Sequence, residues 1–289
     1  MYNRRSFLKA TGALASGILV GRSAFSMEDF STNGHIKKFG LQLWSLRDDL
    51  PKDPKGVLKQ VASFGYKQVE SYEGKQGMFW GMTNKEFKKY MDELGMSIVS
   101  SHCNINSDFE TKAAQAGEIG MKYLICPHLG VQKTIDDFKR SAEKFNACGE
   151  ICKKNGLRFA YHNHGYSFTE LEGQMPQDVL MKNTNAALVD FEMDIYWVVT
   201  AGADPIAWLN KYPGRFTLCH VKDRLKGADP KNTDASTDLG TGSIDFAKIL
   251  KVGTSKGLKY YIVEQEHYDN STPLKSAEVD AAYMKKFKI

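Results

Sequence analysis

Two rhythms alternate along the chain. Short apolar runs, several with a period of two, are separated by longer stretches whose apolar residues recur every three to four positions. The short runs fall at 38–47 (KFGLQLWSLR), 67–71 (KQVES), 97–103 (SIVSSHC), 122–128 (KYLICPH), 158–164 (RFAYHNH), 186–194 (AALVDFEMD), 216–223 (FTLCHVKD) and 259–266 (KYYIVEQE). The long stretches, such as 84–95 and 134–156, close on Gly, as helix C-termini often do. A last helix is expected over 276–287. Eight strands joined by seven helical crossovers predict an α/β fold, a single (β/α)8 barrel. A doubly wound open sheet is the alternative, and it lacks support: after the first strand stands WSLRDDLPKDP, where a phosphate-binding loop would carry glycines.

Taking one parity along each strand collects Gln42 and Trp44, Ser71, Ser100 and His102, Cys126 and His128, His162 and His164, Asp190, Glu192 and Asp194, His220 and Lys222, and Glu264 and Glu266. Nearly all lie at the C-terminal ends of their strands, where barrels of this type build their active sites. His162, Asp194, His220 and Glu264 stand apart from the rest. Imidazoles and carboxylates converging from four consecutive strands would leave buried acids unpaired unless a cation sits among them, which predicts a metal site. Two nitrogen and two oxygen donors suit Mn, Co, Zn or Fe better than Ca. Asp190 and Glu192 read as rim or interface residues. Gln42, Trp44, His102 and His128 are the expected substrate contacts. Lys222 is read either as a holder of a substrate oxygen or as half of a surface pair with Asp223. Of Trp44, Trp80, Tyr166 and Trp197, only Trp44 has the parity to offer an aromatic face at the barrel mouth.

The N-terminus changes the picture of charge and compartment. Arg4-Arg5, Phe7-Leu8-Lys9, an apolar run from Ala10 to Val20 and small residues at Ala24 and Ser26 form a twin-arginine leader with cleavage expected near Ser26. The protein is therefore expected in the periplasm, after passage through the twin-arginine translocase, as residues 27–289 with no stable membrane anchor. The leader carries Arg4, Arg5, Lys9 and Arg22 and no acid, so the formal charge of +5 falls to +1 without it. That near-neutral balance argues against a nucleic-acid partner. The five cysteines lack scaffold spacing; Cys103 with Cys126 is the one pair considered for a disulfide, and most are expected to be buried thiols.

Several of these stretches, GLQLWSLRD, GYKQVE, YHNHGYSF, VDFEMDIYWVVTAGADPIAWL, HVKD and VEQE, taken in this order, resemble the sugar phosphate isomerase/epimerase family of xylose isomerase-like barrels. The resemblance runs over essentially the whole mature chain. It implies a divalent metal held by Glu, Asp, His and Glu from strands five to eight, which places Asp194, His220 and Glu264 in the last three positions. Strand five departs, with His162 in HNH where many relatives carry Glu in an E-N-H sequence. His164, one layer further out, becomes a substrate contact. Relatives that epimerize ketoses use two metal-bound carboxylates as an acid/base pair, and this chain retains one. The expected chemistry is removal of a proton α to a sugar carbonyl through an enediolate, by an isomerase or epimerase, with Glu264 the first choice of base and His164 the second. A lyase acting on keto-glycosides, which needs a single base, and a periplasmic sugar-binding protein are the alternatives. Related barrels that cleave DNA at abasic sites need a multi-zinc cluster and a basic groove, which export and the low charge oppose.

Overall fold

A computed structural model describes residues 34–130, 132–268 and 270–288. The leader and its cleavage point lie outside the described residues. Eight parallel strands close into a barrel: β1 (Gly40–Gln42), β2 (Gln68–Tyr72), β3 (Ser97–His102), β4 (Tyr123–Cys126), β5 (Arg158–His162), β6 (Val189–Asp194), β7 (Phe216–Val221) and β10 (Tyr260–Val263), with β1 hydrogen-bonded to both β2 and β10. Between β7 and β10 a small antiparallel pair, β8 (Asp223–Arg224) and β9 (Ser236–Thr237), rides on the C-terminal rim. The barrel predicted from the rhythm of the chain is the one observed. Its first and last strands are shorter than the sequence reading, because the chain turns into a 3-10 helix at Leu43–Leu46 and leaves the ladder after Val263.

The helices form where amphipathic spacing and a cap coincide. The longest, α4 (Ile135–Lys154), starts at a capping box in which the Thr134 hydroxyl accepts from the Asp137 N–H while the Asp137 carboxylate accepts from the Thr134 N–H. Ile135, Phe138, Ala142, Phe145, Cys148 and Cys152 recur along its buried face. A Cβ at Gly149 on that face would come within 2.8 Å of the Cβ of Leu188, so glycine sets how closely the helix packs. The final helix, α9 (Pro273–Lys286), packs against α1 (Pro54–Phe64) and closes the ring of helices. All five cysteines are buried thiols; the Cys103–Cys126 disulfide does not form.

The barrel interior is divided in height. Tyr123, Ile125, Ala160 and Leu218 belong to a small apolar cluster separate from the main core. In register with them stand Ser100, His102, Asp190 and Glu192. Asp190 sits low, where the Arg158 guanidinium donates to both of its oxygens at 2.5 and 2.7 Å, so it belongs to the base of the barrel. Above the apolar plug the interior turns polar and charged.

The rim loop after β7 is tied down by one carboxylate. Asp223, itself buried, accepts from the backbone N–H groups of Arg224, Gly240, Gly242 and Ile244. A Cβ on Gly242 would lie 2.2 Å from Asp223 Oδ1, so no other residue lets the loop approach this closely. Asp223→Ala strands four amide donors and is expected to destabilise the protein by roughly 2–4 kcal/mol, read as a lowered midpoint in urea unfolding.

Candidate metal and substrate site

The polar layer consists of Glu70 from β2, His102 from β3, His162 from β5, Glu192 and Asp194 from β6, His220 from β7, with Lys222, Glu264 and Glu266 just beyond the ends of β7 and β10. Glu70, Glu192, Asp194 and His220 are all fully buried. Two of these were misjudged in the sequence. On β2 the inward residue is Glu70, not Ser71, which turns outward to accept from the Trp80 indole and to donate to the Met78 carbonyl. Glu192 is at the centre of the barrel rather than at its rim, its carboxylate accepting from His102 at 2.9 Å. On β4 the inward residue is Ile125, level with His102, and Cys126 packs in the outer core.

The imidazoles are each held from behind by a carboxylate. His220 Nε2 lies 2.8 Å from Glu70 Oε1, leaving Nδ1 to face Glu264 Oε2 at 3.1 Å and Asp194 Oδ2 at 3.7 Å. His162 Nδ1 lies 3.1 Å from Glu192 Oε2, leaving Nε2 to face the same Asp194 Oδ2 at 3.8 Å. Metal-binding histidines show this pattern, one nitrogen on the ion and the other fixed by a carboxylate.

Asp194 supplies the decisive observation. Its Oδ1 caps the short helix α6 (Ile195–Thr200) by accepting from Trp197 N, while Oδ2 is buried with no hydrogen-bond partner. Donor atoms around a cation with bonds of about 2.0–2.2 Å stand roughly 3–3.5 Å from one another. The gaps between Asp194 Oδ2 and its neighbours are too long for hydrogen bonds and close to that spacing. Asp194, His220 and Glu264 therefore fit a divalent cation, and His162 approaches this set only through Asp194 Oδ2. A deeper set, His102, His162, Glu192 and His220, also clusters, but its members are already joined by direct contacts of 2.9–3.3 Å.

The charges are arranged to match. Burial pushes the Lys222 ammonium down, yet Glu264, Asp194 and Glu266 outweigh it and hold its pKa above the usual lysine value. Lys222 is not the surface partner of Asp223: it is 1% exposed, 3.3 Å from Glu264 Oε2, in contact with Glu266, and its Nζ lies over the Tyr196 ring at 4.8 Å. Burial raises Glu264, but Lys222 and His220 overcome this and hold it well below the usual carboxylate range. Burial lowers His102, and Glu70 and Glu192 carry it back up to about 9. Glu192, raised by burial and by Glu70, stands at about 7.

Above this layer opens a cavity of about 800 Å³, lined among others by Trp44, His102, His128, His162, His164, Trp197, Glu264 and Glu266. His102, His128 and Trp44 line this cavity. Gln42 does not: it is fully buried, its amide donating to Glu70 at 2.6 Å and accepting from Trp44 N at 3.0 Å. His164 is pushed down to about 4 by burial, lies parallel to the Tyr166 ring at 5.7 Å, and keeps a buried Nδ1 without a partner. His128 accepts from the Gly130 N–H through Nδ1.

A sequence model of xylose isomerase-like TIM barrels matches residues 58–287. The chain belongs to this family. A sugar phosphate isomerase/epimerase from Parabacteroides distasonis is 30% identical, with a TM-score of 0.72 over 88% of this chain and 95% of its own. An inosose dehydratase from Clostridium perfringens is 29% identical over 164 residues, 52% of this chain and 54% of the dehydratase, so the match spans about half the length of this curated relative. A xylose isomerase-like barrel from Mycobacterium smegmatis, solved in complex with magnesium, is alike in fold at 14% identity, with a TM-score of 0.66 over 89% of this chain and 98% of its own.

Within the family's frame, Glu70 is the residue that holds His220 in place. Glu70→Gln removes the negative charge from behind His220 Nε2 and is expected to weaken divalent-metal binding by about 10- to 100-fold, measured by competition with a chromophoric chelator.

Proposed function

We propose that this protein is a metal-dependent enzyme that removes the proton α to a carbonyl of a sugar, and that the resulting enediolate goes on to β-elimination. A divalent cation held in the site would supply Lewis-acid polarisation of the carbonyl. Asp194, His220, Glu264 and His162 are the residues that would hold it. Lys222, protonated and fully enclosed, adds a fixed positive charge beside Glu264, where negative charge on the substrate oxygens grows. His164, neutral at physiological pH, is only part-buried and lines the cavity, although its unpartnered Nδ1 is itself buried. It is the group free to accept the α-proton.

The observation that carries elimination is the imidazole at position 162. Epimerization needs a proton removed from one face and returned to the other, and so calls for two acid/base groups on opposite sides of the substrate. Here β5 contributes the imidazole of His162 rather than a second metal-competent carboxylate, while Glu264 and Glu266, both in contact with Lys222, follow the end of β10. One base suffices for elimination: the α-carbon loses its proton, the carbon–oxygen bond at the β-carbon breaks, and the departing alkoxide takes a proton. The dehydratases among the relatives agree with this branch. The isomerase or epimerase branch is the second reading, favoured by the Parabacteroides relative. Incubation of the metal-loaded protein with keto-glycosides in D2O separates the two. Elimination releases free alcohol and an unsaturated keto-sugar absorbing in the ultraviolet; a deuterium-labelled epimer with no alcohol released would overturn it.

We also propose, from the Arg4-Arg5 leader alone, that the twin-arginine translocase carries the protein to the periplasm. Replacing Arg4 and Arg5 together with Lys is expected to leave the protein in the cytoplasm with its leader attached, as read by fractionation and mass spectrometry.

A further inference from the structure

The rim of the cavity carries an aromatic platform that the chemistry above does not use. Trp44 is 40% exposed, one of two large apolar residues exposed to this extent among the described residues, and it faces the cavity. Its indole is fixed from several directions. Nε1 donates to Glu266 Oε1 at 3.1 Å, the Arg47 guanidinium lies 5.4 Å from the ring centroid, and Tyr72 meets it edge-on at 5.0 Å. Tyr72 is itself braced by Trp80 at 4.9 Å. A tryptophan anchored in this way keeps its exposed surface in a fixed orientation and loses little freedom when a ring settles on it.

Position decides what kind of ring. Trp44 contacts Glu266, Glu266 contacts Lys222, and Lys222 contacts Glu264, so the indole is separated from the metal-competent carboxylate by one acid and one ammonium. It is therefore set back from the reacting carbonyl. The cavity, at about 800 Å³, lies in the upper part of the 300–1,000 Å³ range that takes drug-sized ligands. A single pyranose fills a fraction of that. The lining carries a single lysine, Lys75, and no arginine, so no cluster of cations marks a phosphate site.

We propose that Trp44 forms a second subsite, next to the reacting sugar, which binds the ring of an uncharged leaving group, so that the substrate is an unphosphorylated glycoside with a second ring attached through the oxygen that departs. This rests on the elimination reading, because only elimination gives that ring a bond to lose. In the balanced step the α C–H proton passes to the base, its electron pair forms the new double bond, the β C–O bond breaks, and the second ring leaves as an alcohol after taking a proton from water. No oxidant or reductant is involved. The platform shapes specificity and does not touch the atoms that react.

Binding of unreactive analogues tests the subsite independently of turnover. Titration calorimetry on the metal-loaded full-length protein would compare methyl glucoside, phenyl glucoside, cellobiose and glucose 6-phosphate. The two-ring ligands are expected to bind about three- to tenfold more tightly than methyl glucoside, with this ratio falling to near one in Trp44→Ala and kept in part in Trp44→Phe. Equal weakening of one-ring and two-ring ligands in Trp44→Ala would put the indole under the reacting sugar and overturn the proposal. So would the absence of a two-ring preference in the unaltered protein, or tighter binding of glucose 6-phosphate. If the two-ring preference holds while the D2O experiment gives only an epimer, the elimination reading fails and the indole is left as a contact for a second ring that is not expelled.

Discussion

Asp194→Asn is expected to lose most bound divalent metal and, with it, turnover. The substitution is informative because Asp194 does two jobs with two oxygens. Oδ1 accepts from Trp197 N and caps α6, while Oδ2 is the buried oxygen with no partner. Asparagine keeps the carbonyl oxygen that caps the helix and removes the charge that a cation needs. Asp194→Ala would remove both, adding a cap loss of about 0.5–2 kcal/mol and confusing a folding defect with a binding one. Metal content by elemental analysis, beside a thermal melt of the metal-free protein, separates the effects. The expected result is a melt close to that of the unaltered chain and metal occupancy reduced by at least 10- to 100-fold, since loss of a direct ligand costs no less than loss of a group behind one. Full occupancy in Asp194→Asn would shift the ion to the deeper set of His102, His162, Glu192 and His220.

The barrel was legible because it follows from rhythm: strands every few tens of residues and helices that end in glycine do not depend on any single side chain. The polar layer was legible where a strand was long enough to show its parity. On β6, Asp190, Glu192 and Asp194 share a face, and all three point inward. Parity says nothing about height, however, so Asp190 at the base, Glu192 at the centre and Asp194 at the mouth looked alike. On β2 the parity itself was missed. The pairing with β3 shifts register between Val69 and Glu70, and in so short a strand Glu70 and Ser71 are equally plausible from the sequence. Gln42 held a usable signal: it lies level with Glu70 on the neighbouring strand, so reading Gln42 as inward places Glu70 inward too. Lys222 could not be placed from HVKD, because a lysine enclosed by three carboxylates from other elements shows no local mark.

The identity of the base is where the structure changes an expectation, and it gives the second large effect. Glu264 was first choice in the sequence because the resemblance makes it ligand and base together. Its surroundings leave it poorly suited to the second task. Oε2 lies 3.1 Å from His220 Nδ1 and 3.3 Å from Lys222 Nζ, and those charges hold the carboxyl far below its ordinary range. A carboxylate so stabilised has little drive to take a proton from carbon. His164 is also pushed down, to about 4, but by burial rather than by a bound cation, and it lines the cavity. His164→Gln is therefore expected to keep its metal and to lose about 10²- to 10⁴-fold in the rate of α-deuterium exchange, the usual cost of removing a general base. Glu264→Gln is expected to lose metal and exchange together, with exchange recovering in part at high metal concentration. Because both groups titrate below neutrality, neither would itself produce a break between pH 6 and 8, so pH dependence cannot choose between them. The pair of variants can: exchange that survives in His164→Gln and stays absent in metal-saturated Glu264→Gln would return the base to Glu264.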